Sequence, residues 1–247
     1  MNIIEMIDAN QKALNAIRPF EGGTLKQIRE YYRVGLTFSS NALEGNSLTE
    51  IETKILLEDG MTVGGKPLRD TFEALGHAKS YDYMFSLLGE RRITLEDIKT
   101  LHRLFYMSID EAQAGVWRET SVIVTGSDYV FPAPDELIRL MANLERWIES
   151  ERESMHPVHF AAMLHMKFVT IHPFVDGNGR VARLLMNTAL IQDGYMLAVV
   201  PPLLRTGYLT AIRIYQQKGT VGQFCDFIAE QVLQSQKDMI RLLHIKI

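Results

Sequence analysis

The sequence has a single cysteine, Cys225, so an internal disulfide is excluded, and no CxxC pair or Cys/His zinc pattern can form. It has no run of about 18 apolar residues, the length a membrane-crossing helix needs. Glu5, Asp8 and Lys12 interrupt the apolar residues of the first twenty positions, so no signal-peptide core is expected there. Positive charge is not in excess either, since 26 Lys+Arg against 30 Asp+Glu leave a formal net charge of −4. Broad polyanion binding needs clustered cations, so neither a nucleic acid nor a membrane is an expected partner. Repeats, low-complexity tracts and Ser/Gly linkers are missing too. The expectation is a cytoplasmic globular protein in a reducing compartment. What is present agrees. With 47% hydrophobic and 23% charged residues over 247 positions, the chain can bury about 70–75% of its unfolded surface without a covalent or metal staple.

Helical periodicity dominates. Ile3, Ile4, Ile7, Leu14 and Ile17 suit one amphipathic helix, ended by Pro19 and Gly22-Gly23. A second is expected over 24–44, with Gly45 as its C-terminal cap. The spacing Ser47-Leu48-Thr49-Glu50 predicts a capping box that opens a third, reaching Leu57. Further helices are expected over 71–88, 94–107, 134–150, 157–171, 180–193, 208–217 and 223–243. One stretch departs from the pattern: Val122 and Val124 alternate, then Gly126-Ser127-Asp128 and Val130 follow, which predicts a short exposed β-hairpin. The expected fold is an all-α bundle with a small inserted hairpin. Residues 1–36 would form a helical extension on a unit spanning 37–247.

The chemistry concentrates in Ile171-His172-Pro173-Phe174-Val175-Asp176-Gly177-Asn178-Gly179-Arg180-Val181-Ala182-Arg183. Gly177, Asn178 and Gly179 precede a helix N-terminus, where two glycines let N–H groups converge with the positive end of the helix behind them. That is an anion cradle suited to phosphate. Arg180 and Arg183 are three apart and share a helix face, and two guanidiniums suit a di- or triphosphate. Asp176 is a hard oxygen donor suited to Mg²⁺ shared with phosphates. His172, with an ordinary pKa near ~6.5, suits a general base. Gly60 to Lys66 imitates a phosphate loop, but Pro67 stands where a hydroxyl is needed, so it reads as a turn. His156, His159 and His165 fit no standard metal spacing, and His165 reads as a packing residue beside the loop.

This segment matches the signature of Fic-domain proteins, HPFx[D/E]GNGRxxR, at every defined position, and the chain resembles that family over roughly 37–230. Gly115-Val116-Trp117-Arg118 with the hairpin resembles the family's flap. Glu73 and His77-Ala78 resemble its upstream helix, and Leu184-Leu185-Met186-Asn187 continues the signature helix. The resemblance implies the Fic fold and a protein adenylyltransferase, which moves AMP from ATP to a Ser, Thr or Tyr hydroxyl and releases pyrophosphate. On that basis His172 would take the hydroxyl proton and Asp176 would hold Mg²⁺. Gly177, Asn178 and Gly179 would cradle the phosphates, with Arg180 at the β- and Arg183 at the γ-phosphate. Glycine at 177 favours AMP transfer over the phosphate transfer of Doc-type relatives. Tyr208 and Gln216 would lie near the base. The flap edge Val122, Ile123, Val124 and Thr125 would dock a target segment as an added strand.

Ser40-Asn41-Ala42-Leu43-Glu44-Gly45 resembles the family's N-terminal inhibitory motif, [S/T]xxxE[G/N]. Ser40 and Glu44 are four apart on a helix whose end Gly45 marks, and a carboxylate there invites a cation. The resemblance names Arg183 as that cation, which makes the enzyme autoinhibited. Alternatives are added AMP removal, transfer of another nucleotide such as UMP, or a non-enzymatic binding module. Self-modification and a homodimer are further possibilities.

Overall fold

The order of elements follows the periodicity of the apolar residues. The computed structural model describes residues 2–17, 22–62, 64–125 and 127–245. Its helices are α1 (Ile3–Asn15), α2 (Gly22–Ala42), α3 (Glu50–Asp59), α4 (Leu68–Ser86), α5 (Leu95–Tyr106), α6 (Leu137–Glu151), α7 (Pro157–Ile171), α8 (Asn178–Gln192), α9 (Arg205–Lys218) and α10 (Gly222–Leu242). Side-chain caps and prolines set where several begin. Asn2 with Glu5 closes a capping box on α1, and Thr94 with Asp97 does so on α5. Pro157 occupies the first turn of α7. The capping box of α3 differs from expectation: Thr49 and Glu52 form it, because the Ser47 hydroxyl donates to Asp70 instead. α2 runs without a break through positions 36 and 37.

α7 and α8 form the centre. Phe160, Ala161, Leu164, Met166 and Phe168 on α7 are fully buried, as are Val181, Leu184, Leu185, Ala189 and Leu190 on α8. A helix buried on most sides needs neighbours all round. α8 receives α2, α4 and α5, and α7 receives α6, α9 and α10, with α1 laid on α10. The loop joining α7 to α8 is therefore clamped by the packing of both. Among the described residues, no helix is long and apolar enough to cross a membrane.

The inserted β-hairpin is not formed; among the described residues, 119–133 contains no strand. Gly126, at the expected turn, lies outside the described residues. The physical reason is an absence of anything to pack on. Ile123 is 94% and Val130 87% exposed, and a two-stranded ribbon with no buried face is marginal in water. The Ser127 amide donates to the Val124 carbonyl at 3.0 Å as a turn. At the base of the segment, the Thr120 and Pro132 carbonyls both accept from the Arg118 guanidinium.

Candidate active site

The loop from α7 to α8 is shaped by contacts from three sides. His172 ends α7 in the left-handed region (φ 53°), which turns the chain out of the helix. Phe174 is fully buried and its ring stacks on His102, with centroids 3.7 Å apart. The Gly115 amide donates to His102 Nδ1 at 2.8 Å, so the ring proton sits on Nε2 and is donated to the Asp176 carbonyl at 3.1 Å. Burial keeps this imidazole neutral, with its pKa lowered to about 4. The Asn178 side chain receives the Phe174 amide and donates to the Phe174 carbonyl, at 3.0 and 2.8 Å. Asn178 thus closes the loop on itself. Gly177 sits at φ 77°, and a Cβ there would lie 2.8 Å from the Phe105 ring, so both backbone and space demand glycine.

No side chain caps α8. Among the described residues no side chain accepts from the Asn178, Gly179 or Arg180 amide, the usual setting for an anion at a helix N-terminus. This helix end adjoins a cavity of about 160 Å³ whose lining includes Glu44, Phe131, His172, Gly179, Tyr208 and Gln216. That volume is small beside the ~300–1,000 Å³ of most small-molecule sites.

Both arginines of α8 are buried and already paired. Arg180 meets Glu73 at 3.1 Å and Asp176 at 3.4 Å, with its guanidinium 4.4 Å from the centre of the Phe105 ring. Arg183 donates to the Ser40 hydroxyl (2.9 Å), the Ser40 carbonyl (2.8 Å), the Tyr208 hydroxyl (3.1 Å) and Glu44 Oε1 (2.8 Å). Glu44 stands in the turn after α2, and its carboxylate lies directly over Gly179, in the space a Cβ would need. Burial would raise its pKa, but Arg183 and Arg180 outweigh that and hold it below the usual range. The carboxylate is therefore ionised, against the N-terminal turn of α8, and 35% exposed to the cavity.

His172 differs from its ordinary titration. Burial pushes the imidazole down to about 4, with the Arg118 charge adding to the shift and the Val169 carbonyl opposing it. A carbonyl can only accept, so the 3.2 Å contact from Nδ1 to Val169 O places the ring proton on Nδ1. Nε2 is left with a lone pair. Asp176 accepts from its neighbour's amide, Gly177 N, at 2.6 Å and pairs with Arg69 at 2.5 Å.

The structure thus brings Ser40, Glu44, His172, Gly177, Gly179, Arg180, Arg183 and Tyr208 to one region at the head of α8. Tyr208 is buried, and its hydroxyl lies between Arg183 and His165 Nε2 (2.7 Å). Of the expected docking edge, Val124 and Thr125 line the cavity, while Ile123 points to solvent. His102 and Arg69 had no signal in the sequence. His102 lies 74 residues from the carbonyl it holds, and Arg69 107 residues from Asp176.

An all-α scaffold sets an uncapped, glycine-led helix N-terminus beside two buried arginines and a neutral histidine, a group of side chains chemically able to hold an anion. The Fic/DOC family matches residues 92–190. A protein adenylyltransferase Fic of Drosophila melanogaster is 38% identical over 229 residues, which are 92% of this chain and 46% of that protein. The chain spans about half the length of the curated relatives it matches. A Fic domain containing signaling protein from Bacteroides thetaiotaomicron superposes with a TM-score of 0.88 at 26% identity, over 100% of both chains. Fic-1 from C. elegans gives 0.86 at 26% identity, over 98% of this chain and 73% of that one. The chain belongs to the Fic/DOC family.

Proposed function

We propose that the protein is a protein adenylyltransferase held in an inhibited state by Glu44. The observation that carries this reading is the shared cavity, lined by His172 and by Gly179 of the glycine-led N-terminus of α8, with the Glu44 carboxylate over Gly179. In the reaction, His172 Nε2 takes the proton from an incoming Ser, Thr or Tyr hydroxyl. The hydroxyl oxygen then bonds to the α-phosphorus of ATP, the α–β anhydride bond breaks, and pyrophosphate leaves. Little covalent chemistry is asked of the protein; positioning and charge stabilisation carry the rate. Arg180, Arg183 and the α8 N–H groups supply that charge. Relatives named protein adenylyltransferase Fic support the activity. The decisive experiment supplies ATP labelled at the α- or the γ-phosphate to the Glu44→Gly protein in a lysate. Label in protein from α-labelled ATP alone is expected; label from the γ-position alone would replace the proposal with phosphate transfer.

Mg²⁺ fits the donor set. Asp176 is 40% exposed just before the N-terminus of α8, and one carboxylate with phosphate oxygens and waters is the common Mg²⁺ arrangement. Bound there, the ion would neutralise phosphate charge. Asp176 Oδ2 is paired with Arg69, whose side chain is 53% exposed and whose Nε also donates to Glu73 at 3.1 Å. Arg69 therefore competes with a cation for the same oxygen. Arg69→Met is expected to tighten Mn²⁺ binding about 2- to 5-fold, the range of an exposed ion pair. Electron paramagnetic resonance with a non-hydrolysable ATP analogue reads this, and unchanged affinity would remove Arg69 from the site.

A second reading shares the same groups. The ionised, cavity-facing Glu44 carboxylate beside His172 suits holding a water for AMP removal, which supports a reversible enzyme.

A further inference from the structure

Arg118 is the most unusual charged side chain in the molecule. It is 2% exposed, and among the described residues it has no carboxylate partner. A buried, unpaired cation is costly unless its donors are all used. Here each guanidinium nitrogen, Nε, Nη1 and Nη2, serves a backbone carbonyl. Nε donates to His172 O at 2.8 Å, Nη1 to Thr120 O at 2.8 Å and Nη2 to Pro132 O at 2.6 Å. The Arg118 amide adds a bond to Pro173 O at 2.9 Å.

The partners lie in separate pieces of chain. His172 carries the imidazole at the end of α7, in a left-handed backbone conformation that a non-glycine residue adopts only under constraint. Thr120 and Pro132 are the two ends of the exposed segment that stands where a hairpin was expected. Among its described residues that segment has no ladder to hold its ends together. One guanidinium joins them, and the same guanidinium joins both to the carbonyl of His172. Next to Pro132, the Phe131 ring packs on the imidazole with centroids 4.4 Å apart, while Val124 and Thr125 reach the cavity. By contrast, among the described residues no hydrogen bond links Arg118 to Asp176, Arg180 or Arg183.

We infer that Arg118 is a positioning residue that fixes the 120–132 segment in register with His172, so that an acceptor resting on the segment meets the base, while nucleotide binding is independent of it. This rests on the adenylyltransferase reading only for its activity readout. Loss of Arg118 then separates two properties that a general loss of structure would lower together.

The test compares Arg118→Met and Arg118→Lys in the Glu44→Gly background. Affinity for a non-hydrolysable ATP analogue is expected to stay within about 2-fold. Amide exchange over 121–125 and 127–131 should quicken, and transfer of α-label to lysate protein should fall, each about 10-fold or more, the equivalent of one charge-assisted hydrogen bond. The His172 imidazole, followed by NMR, should titrate above its parent value in Arg118→Met, because a neighbouring cation is gone. Should Arg118→Met fail to fold, Arg118→Lys, which keeps the charge with fewer directed donors, carries the exchange and affinity readouts. Unchanged exchange in a folded variant, or ATP affinity lost in proportion to transfer, overturns the inference. If the Glu44→Gly parent itself transfers no AMP, the function proposal fails, and exchange with the His172 titration still decides the role of Arg118.

Discussion

Glu44→Gly is expected to raise AMP transfer on the order of 10- to 100-fold over the parent protein. In the parent, phosphate must displace one charge-assisted hydrogen bond at Arg183, worth about 1.5–3 kcal/mol. Three features act together in the parent. The carboxylate occupies the Arg183 donor at 2.8 Å, it fills the space over Gly179, and its negative charge stands where a triphosphate would bring its own. Glycine removes all three. Arg183 keeps its bonds to Ser40 and Tyr208, so the fold should survive. Initial rates with α-labelled ATP measure the gain. Glu44→Gln, which keeps the bulk and loses the charge, should fall between the two. A wild-type rate equal to that of Glu44→Gly would end the autoinhibition proposal. The variant should also gain more thermal stability from added ATP, since a ligand that binds only the folded state stabilises by mass action.

His172→Ala, placed on Glu44→Gly, is expected to lower transfer about 10²- to 10⁴-fold, the span of a positioned general base, while ATP-analogue affinity changes little. The pH dependence discriminates further. A base works in its neutral form, and burial holds the folded imidazole down to about 4. Protonation, and with it loss of kcat/KM, therefore sets in as pH falls toward that value and not around the ordinary ~6.5. A rate that halves near pH 6.5 would show that His172 is solvated in the working enzyme, or that another group is the base.

How far the sequence could be read depended on the range of the interactions. Pro157, and the capping pair at Thr94, act within a turn, and the helices they open lie within a few residues of expectation. Ser47 shows the limit. Its spacing to Glu50 was a capping box as good as that of Thr49 with Glu52, until Asp70, 23 residues on, claimed its hydroxyl. The hairpin failed for a similar reason. Alternation at Val122 and Val124 describes two faces, but a strand needs a partner or a core to lie on, and Arg118 holds the segment's ends by their carbonyls instead.

The run from His172 to Arg183 could be read directly because the site's donors are carried by one loop and one helix, whose spacing is local. The glycine demanded at 177 was likewise visible in the letters, although the Phe105 ring that enforces it was not. Fold class, the helix N-terminus and the paired arginines were set by short-range rules of this kind. Tertiary structure alone decided the charge states at the site, and it closes the Glu44–Arg183 pair that the family motif, and no local rule, led one to expect. Glu44 meets Arg183 across 139 residues, His102 steadies Asp176 from α5, and burial, which belongs to no single segment, keeps His172 neutral. Desolvation and ion pairing depend on what surrounds a group in space, and that is known only once every helix has found its neighbours.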